Sequence, residues 1–458
     1  MIDPGIFKAY DVRGLYGEQI DEDLAQLIGR GFARVLADEY GVPASELEVA
    51  VGRDMRLTAP AMADRYVEGI RDEGADVVDI GMVGTEQLYF AVGSRELDGG
   101  LMCTASHNPA AYTGAKLVKR GAVALSGDAG IGELREIVMA GLPPEPSATR
   151  GMHHADDVAT DFEAACMRFI DPSAVREMKV VLDGGNGMAG PMAGPLLDTL
   201  AIEQVQTYWE PDGSFPDHEP NPLLPENRHF IVQKVLSEGA ELGIAWDGDA
   251  DRCFFIDDQG QFVDGDFLTA LLAESILGKE PGAAILHDVR ASRAVRDVVE
   301  RAGGSAHVNR VGHAFFKTRM RAEGAAFGGE VSGHYYFRDF YCADSGTIPA
   351  LLILELLSLK GRRLSQLLAP LRERYFISGE INSEVADAGA KMRELAERHG
   401  DGDGEVTTLD GISVDYEDWH FNVRPSNTEP LLRLNLESLV SPDHMAEKRD
   451  EVLGLIRS

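Results

Sequence analysis

The chain has 458 residues, 44% of them hydrophobic, and 43 Lys and Arg against 76 Asp and Glu, for a formal charge of −33. That length exceeds what a single core fills, and that charge argues against nucleic acid or an anionic membrane as the main partner. An anionic substrate would need a local basic pocket, and the longest apolar stretch, 348–359, is broken by Pro349, Glu355 and Ser358 and is too short to span a bilayer.

The opening Met1-Ile2-Asp3-Pro4-Gly5 has no basic segment followed by an apolar run, so a signal peptide is not expected and the protein reads as cytoplasmic. Along the chain, β-type runs end in Gly- or Asp-rich loops and give way to helical patterns. They are 48–51 before Gly52-Arg53-Asp54, 179–182 before Asp183-Gly184-Gly185, 242–246, 284–286 before His287-Asp288-Val289-Arg290, and 325–327 before Gly328-Gly329-Glu330. This alternation predicts α/β domains with mixed or parallel sheets, whose ligands sit beyond the carboxyl ends of the strands. From 375 the texture changes. Strands are predicted over 375–385, 411–415, 420–423 and 431–436, around helices at 388–399 and 442–456, making a smaller α+β unit. Boundaries are expected in 141–149, just after the acidic loop that follows 246, and around 370–375. Four domains result: 1–150, 151–254, 255–371 and 372–458. His153 and His154 fall in a predicted linker and should face solvent. The four cysteines, at 103, 166, 253 and 342, have no paired spacing and read as buried thiols.

Four loops carry candidate chemistry. Thr104-Ala105-Ser106-His107-Asn108-Pro109 follows the end of a predicted strand, and Asn-Pro stops helix formation, so Ser106 should be presented on a loop. An acyl-transfer elbow would need glycines two residues either side of the serine, where Thr104 and Asn108 stand. Asp247-Gly248-Asp249-Ala250-Asp251-Arg252 sets three carboxylates at alternate positions beside a guanidinium. In an extended segment these point the same way, which suits a hard cation such as Mg²⁺ next to a phosphate. A calcium loop is disfavoured, because Arg252 and Asp258 occupy the positions where such a loop wants Gly and Glu. Glu330, Ser332 and His334 alternate on a third loop and suit sugar hydroxyls. Arg424, Ser426, Asn427 and Thr428, with Arg433 beyond, gather the donors that a phosphate cradle needs. A competing motif is Gly185-Asn186-Gly187-Met188-Ala189-Gly190, which after an apolar run and about 20 residues before Glu210 has the form of a dinucleotide site. It would make the chain an NAD-dependent oxidoreductase, and a non-catalytic sugar-phosphate-binding protein is the other alternative.

Taken in order, the segments 104–109, 247–252, 329–334 and 424–430 resemble the four active-site loops of the α-D-phosphohexomutase superfamily, and most of all its bacterial phosphomannomutase/phosphoglucomutase group. The resemblance spans nearly the whole chain. It implies three related mixed-sheet α/β domains and a smaller C-terminal α+β domain around a central cleft, with the glycine-rich turn at 185–190 structural. It further implies that Ser106 is a phosphoserine and that Asp247, Asp249 and Asp251, together with the Ser106 phosphate, hold Mg²⁺. Arg252 would steady the transferring group, and His107 and Lys116 would assist proton transfer. Tyr10 and Arg13 match a first-domain loop. Arg290 and His313 match third-domain contacts, with Arg290 assigned to binding alone because Arg does not readily give up a proton. Glu330 and Ser332 would hold hydroxyls, and Arg424, Ser426, Asn427, Thr428 and Arg433 the phosphate that is not reacting. The implied reaction interconverts mannose 1-phosphate and mannose 6-phosphate through a hexose 1,6-bisphosphate, which also serves as activator, with glucose phosphates as further substrates. The loop context Tyr335-Tyr336-Phe337-Arg338-Asp339-Phe340 resembles that of phosphomannomutases, which implies mannose phosphate as the substrate. Phosphoglucomutase and phosphoglucosamine mutase are the alternatives within the superfamily, and the oligomeric state is open.

Overall fold

Gly99–Cys103 is buried along its whole length, because it has the parallel strand Glu48–Arg53 on one side and the antiparallel strand Tyr112–Lys119 on the other. Residues 2–127, 130–141, 147, 149–400, 403–426 and 431–458 of this computed structural model are described. They divide into two units, 1–263 with 333–361 and 264–332 with 362–458.

In the first unit, the sheet around Gly99–Cys103 extends to Asp76–Met82 on one side and Val12–Leu15 on the other. Helices Glu22–Tyr40 and Ala59–Asp72 cover it. They meet backbone to backbone, since a Cβ on Gly29 would lie 2.4 Å from the Tyr66 carbonyl oxygen and one on Gly69 2.1 Å from that of Gln26. His153–Ala155 is not a linker. It is a short edge strand parallel to Asp76–Met82, and it is exposed as an edge allows. A second mixed sheet runs Cys253–Asp257, Leu242–Trp246, Met178–Asp183, Ile202–Thr207. In the second unit Ala284–Asp288 lies between Ser305–Asn309 and Phe327–Gly329, all parallel.

One kernel therefore occurs three times: the first strand in sequence takes the middle, the second one flank and the third the other. This is the order expected of three related α/β domains with right-handed crossovers. The third strand of the last kernel begins at Phe327, later than the 325–327 run suggests. Pairing with Ile285–His287 starts only there, and Thr269 fills the space where a Gly329 side chain would stand.

The C-terminal sheet is antiparallel: Phe376–Ile377, Leu431–Ser438, Trp419–Pro425, Ile412–Asp415, Glu405–Thr407. Trp419, Phe421 and Val423 pack beneath helices Ala388–Gly400 and Pro442–Arg457. Strand alternation sends His420, Asn422 and Arg424 to the other face. The expected strand 375–385 is broken by Gly379, whose φ of +68° turns the chain, so Phe376–Ile377 and Ile381–Glu384 both pair with Leu431–Ser438. Pro370, placed at a boundary by sequence, sits inside the helix Leu364–Arg372. The apolar stretch near 350 is the buried helix Thr347–Lys360, and among the described residues no helix is long and apolar enough to cross a membrane. All four cysteines are buried and unbridged.

The turn at 185–190 is closed by its own packing. Side chains there would meet the carbonyl oxygens of Gly248, 2.5 Å from a Gly187 Cβ, and of Trp209, 2.1 Å from a Gly190 Cβ. The glycines bring this turn against the acidic loop, where Met188 N donates to Gly248 O at 2.9 Å.

Candidate active site

Ser106 sits just past the carboxyl end of Gly99–Cys103, where a parallel strand's loop leaves the sheet. Its φ of +50° is the left-handed region that non-glycine residues avoid at a cost of about 1–3 kcal/mol. Three neighbours hold it there. Ser106 N donates to Thr104 Oγ1 at 2.8 Å, and Thr104 Oγ1 donates to Asp54 Oδ2 at 2.7 Å. Arg56, 1% exposed, donates to the carbonyl oxygens of Ser106, Asn108, Pro109 and Tyr112 at 2.6–3.1 Å. Sequence reasoning passed over Asp54 and Arg56. Their only signal was a charged cluster at the end of the neighbouring strand.

The acidic loop leaves the carboxyl end of Leu242–Trp246 and turns through Ala250, φ +60°. A Cβ on Gly248 would stand 2.5 Å from Ser106 O, so the two loops touch through backbone. Ser106 Oγ donates to Asp247 Oδ2 at 3.0 Å and lies 3.3 Å from His107 Nδ1. Arg252 donates to the same Asp247 oxygen through Nε at 2.9 Å and Nη2 at 2.7 Å, and Nη2 also donates to His107 Nδ1. Burial, then the Arg252 charge, push the imidazole well below its usual pKa, so His107 is neutral and accepts through Nδ1. Lys116, on Tyr112–Lys119, donates to Asp249 Oδ2 at 2.7 Å and to Asp251 Oδ2, and Thr85 also donates to Asp249 Oδ2. Burial opposes the charge on Lys116, but the three aspartates outweigh it and keep the ammonium protonated. Burial likewise raises Asp247 and Asp251, whereas for Asp249 the adjacent Lys116 overcomes burial and pulls the carboxyl down.

One ligand oxygen from each of Asp247, Asp249 and Asp251 falls within 4.8 Å of the others. Asp249 Oδ1 and Asp251 Oδ1 are buried with no hydrogen-bond partner among the described residues. Buried unpaired carboxylate oxygens are costly unless a cation meets them, and an all-oxygen set suits a hard divalent ion. The residues fit a metal. His334 is adjacent too, since its ring, Asp251 and Asp344 each bring a ligand atom within 4.8 Å. Arg13 reaches the serine loop, donating to Asn108 Oδ1 at 2.6 Å, while Tyr10 lies half-buried just before that strand.

The second unit assembles a different set. Asp288 holds Arg290 in a two-pronged pair, Nε–Oδ1 3.0 Å and Nη2–Oδ2 2.8 Å, and also accepts Val331 N at 3.0 Å, tying the Arg290 loop to the Glu330 loop. Burial works against the Asp288 carboxylate, but Arg290 prevails and lowers its pKa. Glu330, 2% exposed, accepts Gly312 N at 2.7 Å and so anchors the turn that starts the helix at His313. Ser332 follows on the same loop. Arg424 and Arg433 face each other across paired strands, and Arg433 Nη2 donates to Ser426 Oγ at 3.4 Å. Asn427 and Thr428 lie outside the described residues.

A serine stands against a carboxylate cluster fit for a divalent cation on repeated α/β kernels, and a separate set of arginines stands on an α+β sheet, an arrangement suited to phosphoryl transfer. Four family models match in order: phosphoglucomutase/phosphomannomutase alpha/beta/alpha domains I, II and III at residues 4–140, 153–260 and 264–375, and the C-terminal domain at 380–455. The chain belongs to the phosphoglucomutase/phosphomannomutase family. It is 43% identical over 451 residues to a Xanthomonas campestris protein named "Phosphohexose mutases", covering 98% of this chain and 99% of that one. It is 42% identical over 438 residues to a phosphomannomutase of Escherichia coli K12, covering 94% of each. A crystal structure of a phosphoglucomutase/phosphomannomutase family protein from Burkholderia thailandensis superimposes with a TM-score of 0.90 at 35% identity, over 99% of this chain and 97% of that one.

Proposed function

We propose that this chain is a cytoplasmic phosphomannomutase that interconverts mannose 1-phosphate and mannose 6-phosphate, accepts glucose phosphates, and uses Mg²⁺ and a hexose 1,6-bisphosphate intermediate. The observation that carries the reading is Ser106 Oγ, buried 3.0 Å from Asp247 beside two unpartnered carboxylate oxygens. Phosphorylated, Ser106 donates its phosphoryl group to the free hydroxyl of the sugar phosphate. The Ser106 Oγ–P bond breaks, a sugar O–P bond forms, and the hydroxyl proton passes to a nearby base. The bisphosphate then turns over and returns its other phosphate to Ser106. Asp247, Asp249 and Asp251 would hold Mg²⁺, which would supply offsetting charge to the transferring group. Arg252 steadies that group, and His107 and Lys116 carry protons at the serine end. Arg56 and Thr104 hold Ser106 in its strained conformation. Glu330, Ser332 and His334 bind hydroxyls, with Tyr10, Arg13, Arg290 and His313 as further contacts. Arg424, Ser426, Asn427, Thr428 and Arg433 take the resting phosphate. Hydroxyl contacts shared by both sugars leave little means of rejecting either. Four buried, unbridged thiols support a reducing compartment.

A coupled assay on mannose 1-phosphate, glucose 1-phosphate and glucosamine 1-phosphate, with a trace of hexose bisphosphate, tests the reading. Turnover of the first two with phosphate located at Ser106 supports it. Strong preference for glucosamine 1-phosphate refutes the substrate assignment, and phosphate found elsewhere refutes the mechanism.

A further inference from the structure

Three guanidinium groups of the second unit share one carboxylate. Glu380 Oε2 lies 3.3 Å from Arg290 Nη1 and 3.8 Å from Arg424 Nη2, and Glu380 Oε1 lies 3.1 Å from Arg433 Nη1. These contacts are long beside the 2.7–2.9 Å usual for charge-assisted pairs. They are long, too, beside the 2.8 Å pair that Asp288 makes with Arg290. Arg290 is therefore aimed by Asp288 independently of Glu380. Arg424 Nε and Arg433 Nε are buried with no hydrogen-bond partner among the described residues. Burial, followed by the nearby Arg290 charge, pushes the Arg424 guanidinium below its usual pKa, so the cluster strains against its own charge.

Glu380 stands at a turn with its side chain partly open to solvent. Its side chain is 27% exposed, and it follows Gly379, whose φ of +68° makes the turn between two short strands. The formal charges agree with an exchange. Counting Arg290, Arg424, Arg433, Asp288 and Glu380, withdrawal of Glu380 raises the excess positive charge from one to two, and Glu330 and Asp410, which also act on Arg290 and Arg424, offset part of it. Two carboxylate oxygens cannot serve three forked donors well, whereas three phosphate oxygens can.

We propose that Glu380 is a resident anion that keeps Arg290, Arg424 and Arg433 gathered in the absence of substrate and is displaced by the phosphate of the bound sugar. This rests on the reading of 424–433 as a phosphate cradle. It makes binding an exchange of a monoanion for a dianion, and so selects phosphate esters over carboxylate metabolites.

The test is calorimetric titration of glucose 6-phosphate into the full chain, with Ser106→Ala present throughout to prevent turnover. Adding Glu380→Gln removes the competitor and should tighten binding roughly three- to tenfold, as when a state free about a third to a tenth of the time becomes the only one. Glu384→Gln removes the same charge from the far end of the strand that follows Glu380 and should change nothing. A role confined to structure predicts weaker binding in Glu380→Gln, and unchanged or weaker binding overturns the proposal. Should Glu380→Gln not fold, Glu380→Asp draws the carboxylate back by one methylene, and the same outcomes decide. Arg433→Ala separates the two readings. If it leaves affinity unchanged, the cradle itself is wrong, whereas if it weakens binding while Glu380→Gln fails to tighten it, only the role of Glu380 falls.

Discussion

Replacing Arg56 by methionine keeps most of the side-chain volume and removes every donor. Four carbonyl oxygens, those of Ser106, Asn108, Pro109 and Tyr112, lose the guanidinium as donor, and Asp54, whose carboxylate lies 3.3 Å from Arg56 Nε, is left buried without its counter-charge. Breaking a buried pair from one side costs about 3–5 kcal/mol. Spread over a domain of this size, that lowers the unfolding temperature by roughly 6–20 °C. The loss should fall on the transition of the first unit in a calorimetric scan and leave the second in place, since a chain of several domains need not unfold in one step. The effect on rate has a separate cause. Ser106 keeps its left-handed conformation because Arg56 and Thr104 tie its loop down, and a displacement of about 1 Å in a reacting group costs on the order of 100-fold. The double variant Arg56→Met/Asp54→Asn removes the orphaned charge and should regain stability without regaining rate. An Arg56→Met enzyme within threefold of the parent in kcat/KM, with an unchanged thermogram, would refute this account of the serine loop.

Ser106→Ala should abolish turnover and leave the thermogram intact, and intact-mass analysis should show the phosphate lost. Chelation should abolish activity reversibly, and Asp249→Asn should raise the Mg²⁺ concentration needed for half-maximal rate by at least roughly tenfold. Arg424→Ala should cost about 2–4 kcal/mol in kcat/KM, the scale for truncating one partner of a desolvated charged contact, and equally for mannose and glucose phosphates. A loss confined to one sugar would mean that this loop reads the hexose. Burial raises the Glu86 carboxyl to about 8 even though Thr347 donates to it. Its folded pKa thus exceeds the unfolded value near 4.5, and the folded state binds the extra proton between them. That stabilisation is full below about pH 4.5 and is lost as pH rises towards 8, so Glu86→Gln should flatten the decline in unfolding temperature of the first unit across that range.

Ser106, the aspartates 247, 249 and 251, and the arginines 424 and 433 were legible because each group stands within a few residues of its own loop. A loop's chemistry is set by local order, such as a strand end, a helix-stopping Asn-Pro or acids at alternate positions. The α/β cadence was legible for the same reason, since hydrophobic period is local. The edge strand at 153–155 was not, because two histidines and an alanine carry no burial pattern and become a strand only by pairing with Asp76–Met82. Nor was the break at Gly379, which only its pairing partner Leu431–Ser438 reveals. The supports of the site were hidden by distance along the chain. Arg56 meets the Ser106 carbonyl across 50 residues, Thr85 meets Asp249 across 164, and Glu380 meets Arg290 across 90. Each such residue is an ordinary charged or hydroxyl side chain until folding removes water and sets it against distant partners. Burial and long-range contact, which bring these residues together, are properties of the packed chain and have no periodicity or motif in the sequence.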